Sequence, residues 1–447
     1  MGDPGSNHGI DHPFGNAFDQ KVPMTLHQNV LSPASAEERT SVSAGFIALY
    51  ALAIFGVFLA LLTPPVMTLA LRVAEVAPQG KEALLSLALG LGALVSLLVN
   101  PIAGQLSDRT TSKFGMRRPW ILAGLVVGSA GLYLISIGGA TLIVVGWCVT
   151  QLGFNFLIPT LLAVLPDQIP ERQHGLVSGI LNAGFPVGIV AGVSIAQAVS
   201  PNMVAMFMLP AVIAAVLVVL FVIKLDDRRL APSQVPPLDW KGFLLGFWIS
   251  PRTAPDFCWA WLSRFLLFMG LATLLSYQVF YLLDKVGILP AAIPEIMLKS
   301  TLVSTATTVV GSVLGGWLSD RIARRKIFVL VSALIYGLGL AVIGIAPQLE
   351  TFLWGIAVCG LGQGVYLAVD LALVAEVLPD KSGGAAKGIG IISLANNLPQ
   401  SLAPAIAPAF LAIGAVGAAR NYTALFGAAA IFAILGALAV LPIKGVK

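Results

Sequence analysis

Asp370 is a carboxylate set deep in an apolar run, 351–378, that is long enough to cross a bilayer. A charge at the middle of a lipid-spanning helix costs about 2.5–3.5 kcal/mol even on the lenient insertion scale, so such residues are functional candidates by default. Asp370 lies nine residues before Pro379, where the run ends. At 1.5 Å per residue it sits ~13–14 Å deep, near the centre of a ~30 Å hydrocarbon core. Three chemistries are open to it: reversible protonation that permits a conformational change, pairing with a cationic solute, or a structural ion pair. Two other charges are placed for ion pairing. Arg264 stands about eight residues into the run 257–283 and is the candidate partner of Asp370, although depth alone does not establish contact. Glu376 is only one turn inside its run and reaches the interface. Glu295 and Lys299, spaced i, i+4, form a local pair.

Gln363, Tyr366 and Asp370 are spaced i, i+3, i+7 and share one helical face. An amide, a phenol and a carboxylate on one face belong toward a wetted cavity, because lipid would satisfy none of them. Other apolar runs carry mid-span groups of the same kind: Gln151 and Asn155 in the fourth, Asn182 in the fifth, and Tyr277, Gln278 and Tyr281 in the seventh. Asn396, Asn397 and Gln400 stand in the eleventh. Amides both donate and accept, which suits a neutral polyhydroxyl ligand. Tyrosine rings with polar tips suit sugar stacking or an amphipathic compound. The alternative for any single amide is an interhelical fastener.

The elements that position these groups follow from composition. Of 447 residues, 57% are hydrophobic and 11% charged, with a mean hydropathy of +0.91. A soluble domain carries about 25% charge, so a soluble enzyme, a nucleic-acid binder and a secreted disulfide scaffold are excluded as whole-chain readings. Cys148, Cys258 and Cys359 lie in apolar runs without metal spacing, and only four histidines occur, so no metal or other cofactor is expected. A membrane-embedded enzyme would need clustered His, Asp or Glu, and a receptor would add a large soluble domain; neither is evident. There is no phosphate-binding loop for ATP.

Twelve spans of roughly 20 or more apolar residues fall near 43–71, 83–105, 118–138, 140–165, 174–198, 202–224, 257–283, 293–317, 326–346, 351–378, 387–412 and 420–443. They lack the alternation of barrel strands, so the expected class is an all-α membrane protein. With a cytoplasmic N-terminus, twenty of the 26 lysines and arginines fall on the inside, which puts both ends in the cytoplasm. The polar segment 1–42 has no basic stretch leading into an apolar one and is read as a disordered cytoplasmic tail rather than a cleaved leader. The longest connection, 225–256, divides the chain into 43–224 and 257–447, six spans each. Within it, Trp240–Trp248 reads either as a short interfacial helix or as linker.

The two halves repeat. Gly104-Gln-Leu-Ser-Asp-Arg109 recurs as Gly316-Trp-Leu-Ser-Asp-Arg321, and Val164-Leu-Pro-Asp167 recurs as Val377-Leu-Pro-Asp380. Six spans per repeat keep the halves parallel, an architecture that encloses a midplane site. The doubled Gly-x-Leu-Ser-Asp-Arg motif, each copy followed by basic residues, resembles the signature loop of the major facilitator superfamily. That resemblance implies a fold of two six-helix bundles and a transporter that rocks around a central site. It further implies a cytoplasmic gate carried by Asp108 and Arg109 in one half and Asp320 and Arg321 in the other. The stretch Leu106–Trp120 and Leu62-Thr-Pro-Pro65 resemble the plant sucrose–proton symporters and their glycoside-transporting relatives. The membrane-embedded Asp of that group is replaced here by Gln151, and its later Arg by about Leu162, so its usual proton site is missing. The combined expectation is a monomeric secondary transporter in a bacterial inner membrane. Its partners are the bilayer, a small organic solute (a sugar or glycoside ahead of an exported amphipathic compound) and protons carried by Asp370, with no nucleic acid.

Overall fold

Backbone N–H and C=O groups in hydrocarbon have no water to turn to, so long apolar runs satisfy them internally as helices. The computed structural model describes residues 42–231, 233, 235, 252, 254–322, 324–377, 385–415 and 420–444, and contains no strand among them. The first half comprises α1 (Ala44–Val76), α2 (Lys81–Ser107), α3 (Arg118–Ile137), α4 (Ala140–Gln168), α5 (Glu171–Ala198) and α6 (Met203–Lys224). The second comprises α7 (Pro255–Asp284), α8 (Pro290–Ile322), α9 (Arg325–Ile345), α10 (Leu349–Val377), α11 (Ala385–Ala412) and α12 (Tyr422–Ala439). Eleven of these are long and apolar enough to span a membrane. The remaining one, α11, is 28 residues long and carries Pro399, Pro404 and Pro408.

Two helices depart from a plain span for a local reason. α1 runs past its expected end to Val76 and passes through a π-helical turn at Pro64–Thr68. Pro64 and Pro65 lack N–H groups and cannot continue the i→i−4 ladder, so the helix widens there instead of stopping. α4 breaks at Ala163, and Val164–Gln168 forms a separate short turn. The tetrapeptide ending in Asp167 therefore lies in that turn, after the main α4 segment. The N-terminal tail up to residue 41, the Trp240–Trp248 segment and Asp380 lie outside the described residues.

The halves pack alike. In the first, α1 contacts α5 and α6, α4 contacts α2 and α3, and α3 contacts α6. In the second, α7 contacts α11 and α12, α10 contacts α8 and α9, and α9 contacts α12. Between halves, α2 meets α11 and α5 meets α8, contacts that exchange under the same two-fold relation. Small residues bring the backbones close, since apolar packing against apolar lipid offers little other drive for association. A Cβ on Gly153 would lie 2.2 Å from Gly128 N and 2.5 Å from Gly124 O across the α3–α4 seam. In the matching α9–α10 seam, a Cβ on Gly362 would lie 2.6 Å from Tyr336 N. Leu87, Leu91, Leu94 and Leu98 form an exposed stripe along α2, and the first three border a cavity shared with α7 and α11.

Gly153→Ala should lower the melting temperature of the detergent-solubilised protein, by about 1–3 kcal/mol of overpacking. Gly175, with nothing within 4 Å of its would-be Cβ, supplies the control. Gly175→Ala should leave the midpoint unchanged or slightly raised.

Candidate functional site

Three helices of the second half bring their polar residues to one point. Arg264 on α7 and Asp370 on α10 are 5% and 2% exposed and form a direct ion pair, Nη1 donating to Oδ2. Arg264 Nε also donates to Asn396 Oδ1 on α11 at 2.6 Å, and its guanidinium lies 5.4 Å from the centre of the Phe268 ring. The contact that depth alone left open is therefore made. A second buried polar pair sits beside it: Tyr366, one turn before Asp370, and Ser263, next to Arg264, are both buried with their hydroxyls directed at each other. The arrangement is neutral as a unit. A proton reaching Asp370 would cancel the carboxylate and leave the guanidinium held only by Asn396 and the Phe268 ring.

The first half has an uncharged counterpart. Asn155 Oδ1 accepts from Ser96 Oγ at 2.7 Å and Asn100 Nδ2 at 3.4 Å, while its Nδ2 donates to Gln151 O and Oε1 at 2.8 and 3.0 Å. These bonds tie α2 to α4, which is the fastener alternative for Asn155. The other expected cavity residues do not converge with these two clusters. Tyr281 is fully buried, and its hydroxyl donates to the carbonyls of Ile343 and Ala346 while its ring packs on Phe352, Tyr422 and Phe426. It is a core residue of the second half, because its polar tip is satisfied by the end of α9. Tyr277 is also fully buried, its hydroxyl donating to Pro404 O at 3.4 Å. Gln278 is buried, Gln363 and Asn397 are half-buried, and Asn182 and Gln400 are exposed.

A cavity of about 700 Å³ opens between α2, α7 and α11. Its wall includes the stacked rings of Trp261 and Phe265, 5.3 Å apart, facing Leu91, Leu94 and Leu402. None of the sequence-predicted amides lines it, and its surface is mostly apolar.

Asp108 pairs with Arg117 at 2.5 Å, and Arg117 also reaches Asp167 at 3.0 Å and Ser107 Oγ at 2.8 Å. Arg117, 5% exposed, is thus the buried node that joins both repeated motifs of the first half. Sequence reasoning counted it only as a positive loop charge. The available signal was an arginine between two acidic motif ends. Arg109 is half-buried and Asp320 and Arg321 are exposed, Arg321 lying 5.6 Å from the Trp317 ring centre. Asp227, just after α6, accepts the backbone N–H groups of Arg117 and Arg118 at 2.8 Å each and so caps the start of α3. Gly115, at φ +105°, passes so near that a Cβ would lie 2.1 Å from Asp227 Oδ2. Glu376 pairs with Arg325, not with Arg264, because one turn of depth leaves it level with the start of α9.

Removing one partner of a buried ion pair strands the other, at a cost of about 3–5 kcal/mol, whereas replacing both is often neutral. Arg264→Met and Asp370→Leu should each sharply lower the melting temperature in detergent, and the double variant should recover most of the loss.

Comparison with known proteins agrees with this architecture. The model of the Major Facilitator Superfamily matches residues 46–294 and 289–446. An uncharacterized MFS-type transporter of Bacillus subtilis, YhcA, is 30% identical over 150 residues, covering 31% of this chain and 27% of that protein. The general alpha-glucoside permease of Schizosaccharomyces pombe is 46% identical over 44 residues, covering 10% and 8%. The chain thus spans only about a quarter or less of these curated relatives' lengths. The crystal structure of the nucleoside transporter NupG superposes with a TM-score of 0.71 at 11% identity, over 89% of this chain and 99% of that one. With two family matches covering nearly all of the helical region, and a fold of paired six-helix halves, this chain belongs to the Major Facilitator Superfamily of membrane transporters.

Proposed function

We propose that this protein is a proton-coupled secondary transporter of a small neutral organic solute, a sugar or glycoside, working by alternating access. The observation that carries the reading is the buried Arg264–Asp370–Asn396 cluster, with Tyr366 and Ser263 buried beside it. A charge pair so far from water is retained at a cost in desolvation, and its break on protonation is a ready two-state element. Proton binding at Asp370 frees Arg264, and closure around the solute follows; release of the proton restores the pair. Water or solute must reach the cluster in one state for this cycle to run. The mid-span amides Gln151, Gln363, Asn396 and Asn397 suit hydroxyl groups, and the local likeness to an alpha-glucoside permease favours the same solute class. The charge asymmetry of the loops favours a cytoplasmic location for both termini. The protein acts as a monomer in a bacterial inner membrane, its halves joined by the connection 225–256.

A second reading, export of amphipathic compounds, is favoured by the apolar cavity with its Trp261–Phe265 wall. A labelled-solute screen in proteoliposomes under an imposed proton gradient separates the two readings: an alpha-glucoside accumulates under the first, a planar hydrophobic dye under the second. Asp370→Asn should reduce gradient-driven accumulation by at least about tenfold while counterflow exchange persists. Unchanged accumulation would remove Asp370 from the coupling step.

A further inference from the structure

The polar layer of Arg264, Asp370 and Asn396 has an apolar layer directly beside it, toward the face of the termini. Val374 stands one turn from Asp370, Ile392 one turn from Asn396 and Phe257 two turns from Arg264, each on the same helical face as its polar neighbour. These three form one buried cluster with Ala254 and Ile391, and Trp261 packs against it. Trp261 Nε1 also donates to Ile391 O at 2.9 Å, tying α7 to α11 at this level. In the opposite direction polar residues follow and exposure grows: Tyr366 is buried, Gln363 half-buried and Gln400 exposed. Among the described residues, the titratable groups beside Asp370 are Arg264 of α7 and Tyr366 of its own helix, while α11 offers the neutral Asn396. The charges of α8 and α9, which also pack on α10, stand near the helix ends: Glu295, Lys299, Asp320 and Arg321 on one, Arg325 and Lys326 on the other. Tyr336 of α9 lies against Gly362, two turns away.

We infer that the Phe257–Val374–Ile392 layer is a water seal inside the second bundle, so that Asp370 exchanges its proton only through the flank carrying Tyr366, Gln363 and Gln400. A proton travels along water or polar groups, and a tight apolar constriction dewets and interrupts that path. The three side chains come from α7, α10 and α11, the same helices that supply the polar layer, so the seal stays with Asp370 when the bundle moves as a unit. A gap in it would leave Asp370 in contact with the face of the termini whichever way the chamber opened. Protons would then cross without solute. The inference rests on the reading of Asp370 as the proton carrier of an alternating-access cycle and adds which flank serves it.

Full-length protein in proteoliposomes with a trapped pH indicator and a clamped membrane potential tests it, with no solute present. Phe257→Ala with Ile392→Ala should raise proton leak about tenfold over the parent. Phe257→Leu with Ile392→Leu, which keeps most of the volume, should stay within about twofold of it. Adding Asp370→Asn to the leaky variant should return the leak to the parental level. In a background lacking Cys148, Cys258 and Cys359, Val374→Cys should react with a membrane-impermeant thiol reagent at least about tenfold more slowly than Phe114→Cys, and Phe257→Ala should narrow that gap. Fast labelling of Val374→Cys in an otherwise intact layer would overturn the seal, whatever Asp370 carries. A variant that labels fast yet does not leak, or a leak that survives Asp370→Asn, would overturn it as well. Slow labelling together with unchanged gradient-driven accumulation in Asp370→Asn would instead mark failure of the proton reading, and with it the seal's role in proton exchange.

Discussion

Charge inside hydrocarbon is the constraint around which the second half is arranged. Arg264 and Asp370 lie on different helices, each mid-span, and neither has water to turn to. Meeting each other is the cheapest answer available to both, and the encounter fixes how α7 and α10 face one another. Asn396 then completes the guanidinium from α11. Arg264 thereby joins three helices through two polar contacts.

The two halves solve similar packing with different chemistry. Their helix contacts repeat under a two-fold relation, and glycines let α3 approach α4 and α9 approach α10. At mid-span, however, the first half holds Asn155 in a neutral network of Gln151, Ser96 and Asn100, and the second half holds an ion pair. A neutral network costs less to bury and changes little with pH. The symmetric scaffold therefore carries an asymmetric interior, with the mid-span ion pair in the second bundle.

The charges near the faces are arranged by a different economy. On the face of the termini, Arg117 gathers Asp108 and Asp167 within one half, and Asp227 caps α3, so the start of the long connection is tied to the first bundle. On the other face, the pairs of Lys81 and Glu82 run between halves. Were the halves to move relative to one another, contacts inside a bundle would survive and contacts between bundles would not.

The spans were legible from sequence because lipid imposes one rule on every long apolar run, and the repeat was legible because both motif copies keep their residues. Asp370 stood out for the same reason: a carboxylate at that depth needs a partner, a proton or a ligand. Tyr281 and Asn155 show where this reasoning ends. Both carry polar groups that a cavity would welcome, yet the end of α9 satisfies one and α2 the other. Lys81 gives no such signal because its partner, Asp284, lies far away along the chain. Hydropathy is a property of a segment and can be read along it, so the sequence by itself determined the helices, their repeat and the depth of Asp370. Partnership depends on how helices rotate about their axes and which ends meet, so only the tertiary structure decided that Asp370 faces Arg264 and that Lys81 reaches across to Asp284.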